Sequence, residues 1–208
     1  LAVISFIDND IILKLTSCDL FWEAMDLLCI ESVDIRILNG ARFVFKGNKV
    51  KQQYPAEVRN KAIELIKDFA TVTADLSNPL FSLNIEGLDV GELTLIYEAI
   101  AEPNFYFLTG DKRCLRALVN TPELATAREK LKSRVVCLEQ LIYKLIITEG
   151  FEVIRSKVTR ARECDTALKV AFGSGDRSEE ATVIWTLKER IKELNQECPN
   201  LLMNFSSV

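Results

Sequence analysis

The 208-residue chain contains no histidine, and that absence removes Ser/His/Asp and Cys/His catalysis, most zinc chemistry and proton transfer through imidazole. An enzyme built on this sequence must work with carboxylates, lysines or a metal. Paired cysteine motifs are missing too. The cysteines at 18, 29, 114, 137, 164 and 198 never stand as CxxC and lie scattered through apolar stretches, so they read as reduced thiols rather than a zinc site or a disulfide framework. No apolar run approaches the ~18 residues needed to span a bilayer, and the opening LAVISFIDND lacks a basic n-region. A soluble, cytoplasmic protein with no membrane partner is expected. Positive charge is scarce: 26 Lys and Arg stand against 30 Asp and Glu, a net charge of −4. The chain therefore has no global field for nucleic acid, and any such contact must come from a local patch or a bound metal.

What is present is the composition of a globular protein, 49% hydrophobic and 27% charged, long enough to bury a core. AVISFI, residues 2–7, is a short apolar run ending on Asp8, the pattern of a strand buried on both faces of a parallel sheet. Leu20, Phe21, Ala24, Leu27 and Leu28 then recur at helical spacing, with Ser17 or Asp19 as a cap. VDIRIL, 33–38, predicts a second strand. Pro55 opens a helix whose Val58, Ala62, Leu65, Ile66 and Phe69 make one stripe, and residues 76–88 read as a connection. A helix from Asp89 carries Leu93, Ile96, Ala99 and Ile100 inward. Phe105–Leu108 is an aromatic strand closed by Thr109-Gly110-Asp111, a helix follows over 112–119, and 134–138 predicts a last strand before LEQLIYKLII. Alternation at this spacing gives an α/β fold, a parallel sheet flanked by helices, over residues 1–150.

After Gly150 the pattern becomes helical throughout, two long helices over about 151–172 and 178–197 around Gly173-Ser174-Gly175, so residues 151–208 form a hairpin extension. Two facing apolar stripes shield each other only in part, which predicts docking on the core or on a second copy of the chain, a homodimer. Residues 154–177 hold six basic side chains, among them Arg155 and Arg160, against three acids, and form either a solvated face or an RNA groove.

Asp8 follows the first strand, Glu92 starts the helix before the aromatic strand, and Asp111 ends that strand, so a parallel topology gathers all three at one sheet edge. Clustered carboxylates are costly to ionise without a cation, and like charges there should raise the pKa of at least one. Oxygen-only ligation suits Mg or Mn, which can activate water for phosphodiester cleavage without histidine. Each acid also has a purely structural reading: Asp89 and Glu92 fit a capping box, and Asp111, Asp8 or Asp10 can cap the helix that follows it.

IDNDIILKL, LDVGELTLIYEAI and FYFLTGDKRCLRAL, with RVVCLEQLIYKLI after them, resemble the PIN domain family, in particular its bacterial branch with a GEAEAI-type middle motif, over roughly residues 2–150. The resemblance implies a metal-dependent endoribonuclease, often the toxin of a toxin–antitoxin pair, with single-stranded RNA as substrate and an antitoxin or other protein as partner. It implies Asp8, Glu92 and Asp111 as catalytic metal ligands with Asp10 beside them, and Thr109, Lys112, Arg113, Arg155 and Arg160 as candidate substrate contacts. Two departures stand out. Asp10 occupies the family's Ser or Thr position, and LNGARFVFK carries no acid where an early glutamate is expected. A catalytically lapsed PIN-like binding or assembly module is therefore an alternative. Another is a haloacid dehalogenase-like phosphatase with Asp8 as nucleophile and Asp10 as acid/base, although Ile11-Ile12 stand where its Gly-Thr would be.

Overall fold

Residues 3–75, 81, 83 and 85–205 are described by a computed structural model. In chain order the elements are β1 (Ile4–Ile7), α1 (Asn9–Ser17), α2 (Phe21–Leu27), β2 (Ile35–Leu38), α3 (Ala41–Phe45), α4 (Asn48–Gln53), α5 (Ala56–Leu65) and β3 (Ala70–Val72). They continue with α6 (Val90–Ala101), β4 (Phe105–Leu108), α7 (Lys112–Asn120), α8 (Ala125–Lys130), β5 (Val135–Val136), α9 (Leu138–Glu149), α10 (Phe151–Ala161), α11 (Thr166–Ala171) and α12 (Glu180–Glu197). Most of the expected connection at 76–88 lies outside the described residues.

The strands form one five-stranded sheet in the order β3-β2-β1-β4-β5, with every neighbouring pair parallel. The chain winds outward from β1 through β2 to β3, then returns to lay β4 on the other side of β1. The winding thus reverses between β1 and β4, and in open parallel sheets the crevice outside the carboxyl ends at that point is where ligands bind. Strand alternation divides the interior into two cores. Phe6, Phe105, Phe107 and Val135 face one, while Ile7, Ile35, Ile37, Leu108 and Val136 face the other. Both faces are covered by helices, which is why these strands read as continuous apolar runs.

Residues 151–205 belong to both cores. Ile154, Val158, Leu168, Phe172, Val183 and Leu187 pack with Ile7 and α1, and farther along α12 Leu194 joins the opposite core with Cys198, Leu201 and Leu202. The tail also closes the sheet edge: Leu202 bridges Val135 in parallel, and the Gln140 side chain donates to the Met203 carbonyl at 2.8 Å. An unpaired strand edge is an aggregation template, so this cover matters as much as the apolar burial.

The structure differs from the sequence pattern in several places, among them α5, which ends at Leu65 before Phe69, and the unforeseen α8. The helix expected over 151–172 breaks at 162–165, because the Asp165 carboxylate accepts from the Ala167 and Leu168 N–H groups at 2.7 and 3.0 Å and starts α11 anew. Neither Ser17 nor Asp19 caps α2, since Ser17 ends α1 with its hydroxyl on the Leu13 carbonyl at 2.8 Å and Leu20 holds the cap position. Short α3, α4 and β3 fill stretches where the sequence offers too few periods to register. All six cysteines are free thiols, but Cys29 is exposed. Among the described residues no helix is long and apolar enough to cross a membrane.

Truncation after Gly150 is therefore expected to leave an insoluble or non-cooperatively unfolding product. Phe172→Ala, at a fully buried ring, should cost about 3–5 kcal/mol in urea unfolding of the full chain. A truncated chain with wild-type unfolding would show that the helices after Gly150 are dispensable.

Candidate functional site

Parallel pairing of β1 with β4 places Ile7 level with Leu108, so the next residues, Asp8 and Thr109, leave the sheet side by side. The Asp8 N–H donates to the Leu108 carbonyl at 3.0 Å and the Thr109 N–H to the Val136 carbonyl at 3.1 Å, fixing both at the carboxyl edge. The Thr109 hydroxyl donates to Asp8 Oδ2 at 3.4 Å and accepts from the Asp111 N–H at 3.1 Å. One buried hydroxyl thus links the two aspartates. Glu92 arrives on the first turn of α6 through a complete capping box: its N–H donates to Asp89 Oδ1 at 2.8 Å, and its Oε2 accepts from the Asp89 N–H at 2.9 Å. Asp111 caps α7, accepting from the Arg113 N–H at 2.7 Å. The capping roles read for Asp89, Glu92 and Asp111 are thus real and hold these acids in one place. Asp8, by contrast, occupies the cap position of α1 without a side-chain cap bond, and Asp10 pairs with Lys14 instead.

Asp8, Asp10, Asp89, Glu92 and Asp111 line a single cavity of about 830 Å³, together with Lys14 and Arg113. Cations are distributed unevenly among the acids. Arg113 forks onto Asp111, with contacts of 3.2 and 2.6 Å, and its side chain is 75% exposed, so that pair is screened by solvent and able to open. Lys14 is buried and clamped between Asp10 at 2.5 Å and Asp165 at 2.7 Å. Asp8 and Glu92, both buried, have no ion pair among the described residues. Among the described residues no three Cys, Asp or Glu side chains stand so that they could hold a metal ion together.

The protonation equilibria follow this distribution. Burial pushes the Asp8 carboxyl up to about 7, repulsion from Asp10 adds to it, and the Asn9 backbone hydrogen bond opposes. Burial pushes Glu92 up to about 8 despite the hydrogen bond from Asp89. Repulsion alone was the expected cause, but desolvation is the larger one in both. Burial also raises Asp10 against the attraction of Lys14. Burial would raise Asp111 as well, yet Arg113 outweighs it and holds that carboxyl below its ordinary range. For Asp165 burial is likewise outweighed, by Lys14 and the first N–H groups of α11. Desolvation of Lys14 is overcome by its two aspartates, which keep it charged.

The remaining sequence candidates lie elsewhere. Lys112 pairs at 2.6 Å with the buried Glu139, away from the cavity lining. Arg155 is tied to Glu152 and to the Ser178 carbonyl at 3.2 Å, and Arg160 is exposed on α10; neither lines the cavity. Lys14 and Asp165 are the residues that sequence reasoning missed. Their signal was faint, an i,i+4 Asp10–Lys14 pair and an aspartate interrupting an apolar stripe. Gly110 is demanded by the same cluster, because a Cβ there would lie 2.6 Å from Asp10 Oδ2 and 3.2 Å from Lys14 Nζ. Comparison with protein-family models, with curated proteins and with solved structures finds no match.

Two outcomes are expected. A carboxyl whose folded pKa exceeds its unfolded value stabilises most below the unfolded value and loses that contribution as pH rises through the folded one. With Asp8 at about 7 and Glu92 at about 8, the chelator-treated protein should lose stability between about pH 4 and pH 8. Asp8→Asn/Glu92→Gln should flatten this slope and raise stability near pH 8.5 by about 1–3 kcal/mol. Equal slopes in thermal melts of the two proteins would refute the assignment. Gly110→Ala should cost about 1–3 kcal/mol by prising Asp10 from Lys14, and an unchanged melting temperature would mean that the loop yields freely.

Proposed function

We propose that this cavity is a divalent-metal site for phosphodiester hydrolysis and that the protein is a PIN-type endoribonuclease acting on single-stranded RNA. One observation carries the reading: Asp8 and Glu92 are buried at the switch point without a compensating cation, while Asp10, Asp111 and Asp165 each have one. Buried carboxylates are costly unless paired, and a hard cation is the partner that an all-oxygen donor set favours. The buried Asn9 Oδ1, without a hydrogen-bond partner among the described residues and in the same lining, is a further oxygen of suitable chemistry.

Asp8, Glu92 and Asp111 would hold Mg or Mn. Bound there, such an ion would polarise a phosphoryl oxygen and make a water beside it more acidic. The chain's own groups would do the rest. Thr109 orients the Asp8 carboxylate, and the capping box fixes Glu92. Arg113 can release Asp111 and turn its guanidinium to a phosphate oxygen, the bidentate geometry for which arginine is suited. Asp10 is committed to Lys14, so it supports the wall rather than the ion. That commitment also counts against the phosphatase alternative, which needs Asp10 free as acid/base.

A specific observation favours the second reading, a lapsed binding module: Arg113 already occupies Asp111. Cleavage of unstructured RNA decides between them. Wild type with Mn should cut, chelator should stop it, Asp8→Asn should be inactive while folded, and Thr109→Val should lose about 10–100-fold. Mn should also raise the melting temperature of wild type near pH 8.5 and leave Asp8→Asn/Glu92→Gln unmoved. Intact RNA together with no thermal shift would leave the lapsed module standing, and release of phosphate from small monoesters with RNA intact would favour the phosphatase.

A further inference from the structure

Between Ile35 and Ala56 the chain carries five basic residues and no acid, against a net charge of −4 for the whole. The segment forms α3 and α4, joined at Gly47, and one side of it borders the acidic cavity through Val44, Lys49, Val50 and Gln53. Its inner face is anchored by Ala41, Phe45 and Val50 in the core. Its outer face is unusual. Phe43 is 78% exposed beside Val44 at 44%, and Arg42, Lys46, Lys49 and Lys51 of the same segment are exposed.

None of these four cations pairs with a carboxylate among the described residues. The basic stretch of the C-terminal helices contrasts with them in most of its charge, because Arg155 is held by Glu152, Lys157 by Glu23, and both Arg162 and Lys169 by Glu163. That leaves Arg160 and Arg177, in a stretch with no exposed ring among the described residues. Neutralised charges do not attract a polyanion, and free ones release counterions when they meet it. An exposed phenyl ring within a set of free cations is the combination that binds unpaired bases, by stacking on the ring while the backbone follows the charge.

From this we infer that the α3–α4 lip, with Phe43 at its centre, is the docking surface for single-stranded RNA and leads the strand into the acidic cavity. The choice of RNA rests on the nuclease reading above; the surface itself rests on the exposed ring and the unpaired cations. The basic face of α10 and the turn after it is not the groove.

Fluorescence anisotropy of labelled oligouridine with the full chain in chelator measures docking without hydrolysis. Wild type should bind. Phe43→Ala should weaken binding about 5- to 100-fold. Lys46→Ala/Lys49→Ala/Lys51→Ala should reduce the salt slope by about 2, at roughly 0.7 per phosphate contact on a single strand. Arg160→Ala/Arg177→Ala should change nothing, and duplex RNA should bind more weakly than the single strand. All these side chains are exposed, and thermal melts confirm that each variant is folded. No binding by wild type, equal binding by Phe43→Ala, or equal affinity for duplex overturns the inference. Docking through Phe43 without cleavage in Mn would sink the nuclease reading and leave the lip, whereas cleavage with unchanged KM in Phe43→Ala would sink the lip and leave the nuclease.

Discussion

Parallel pairing of β1 with β4 is the constraint on which the other features depend. Because the chain winds to β3 before crossing back, these two strands are neighbours in the sheet although about a hundred residues apart in sequence, and their ends emerge level. A slip of one residue would turn Phe6 and Phe107 out of their core and Ile7 and Leu108 out of the other, so apolar burial enforces the register. The same register sets Asp8 beside Thr109. The position of the polar cluster is thus secured by hydrophobic packing, which does not depend on whether the acids are charged.

Charge compensation then separates the acids into two kinds. Lys14 joins Asp10 to Asp165, tying α1 to the start of α11, and Gly110 allows the β4 loop to pass against that pair. Removing one member of such a buried cluster leaves the others uncompensated, so it acts as a rigid support for the cavity wall. Asp8 and Glu92, buried, have only neutral hydrogen-bond donors among the described residues, and burial brings their protonation close to neutral pH. The wall is neutralised within the chain, while these two buried acids are not, which is the place the proposed reading gives to a cation.

Much of this was legible in the sequence, and the exceptions share a physical cause. Asp8, Thr109 and Asp111 are readable because apolar runs end on them, and Glu92 because a capping box has a fixed spacing. Lys14 and Asp165 are not. An i,i+4 Asp–Lys pair looks the same on a solvated helix as in a buried cluster, and only the docking of α11 buries it. For Arg155 and its neighbours the sequence leaves a solvated face and an RNA groove both open, because it counts charges without their partners, and Glu23, which neutralises Lys157, lies on α2. The helices α3 and α4 are each shorter than two turns, so no periodicity distinguishes the exposed Phe43 from the buried Phe45 two residues later.

The C-terminal helices acquire a meaning that a helical appendage would not have. They contribute Asp165, which holds Lys14 of the cavity lining, Leu187 and Phe172 to one core, Leu194 to the other, and the cover for β5. Their own cations are spent largely on ion pairs within the chain. A run of cations without ion pairs among the described residues lies beside the cavity on α3 and α4, which pack on each other and on α5 and carry no apolar load on their outer faces. A surface relieved of packing duty can expose an aromatic ring and leave lysines unpaired at small cost in stability, whereas the helices that complete the core cannot. On the proposed reading, attraction of a polyanion falls to a segment whose outer face has no packing role, and support of the acids to the helices that complete the core.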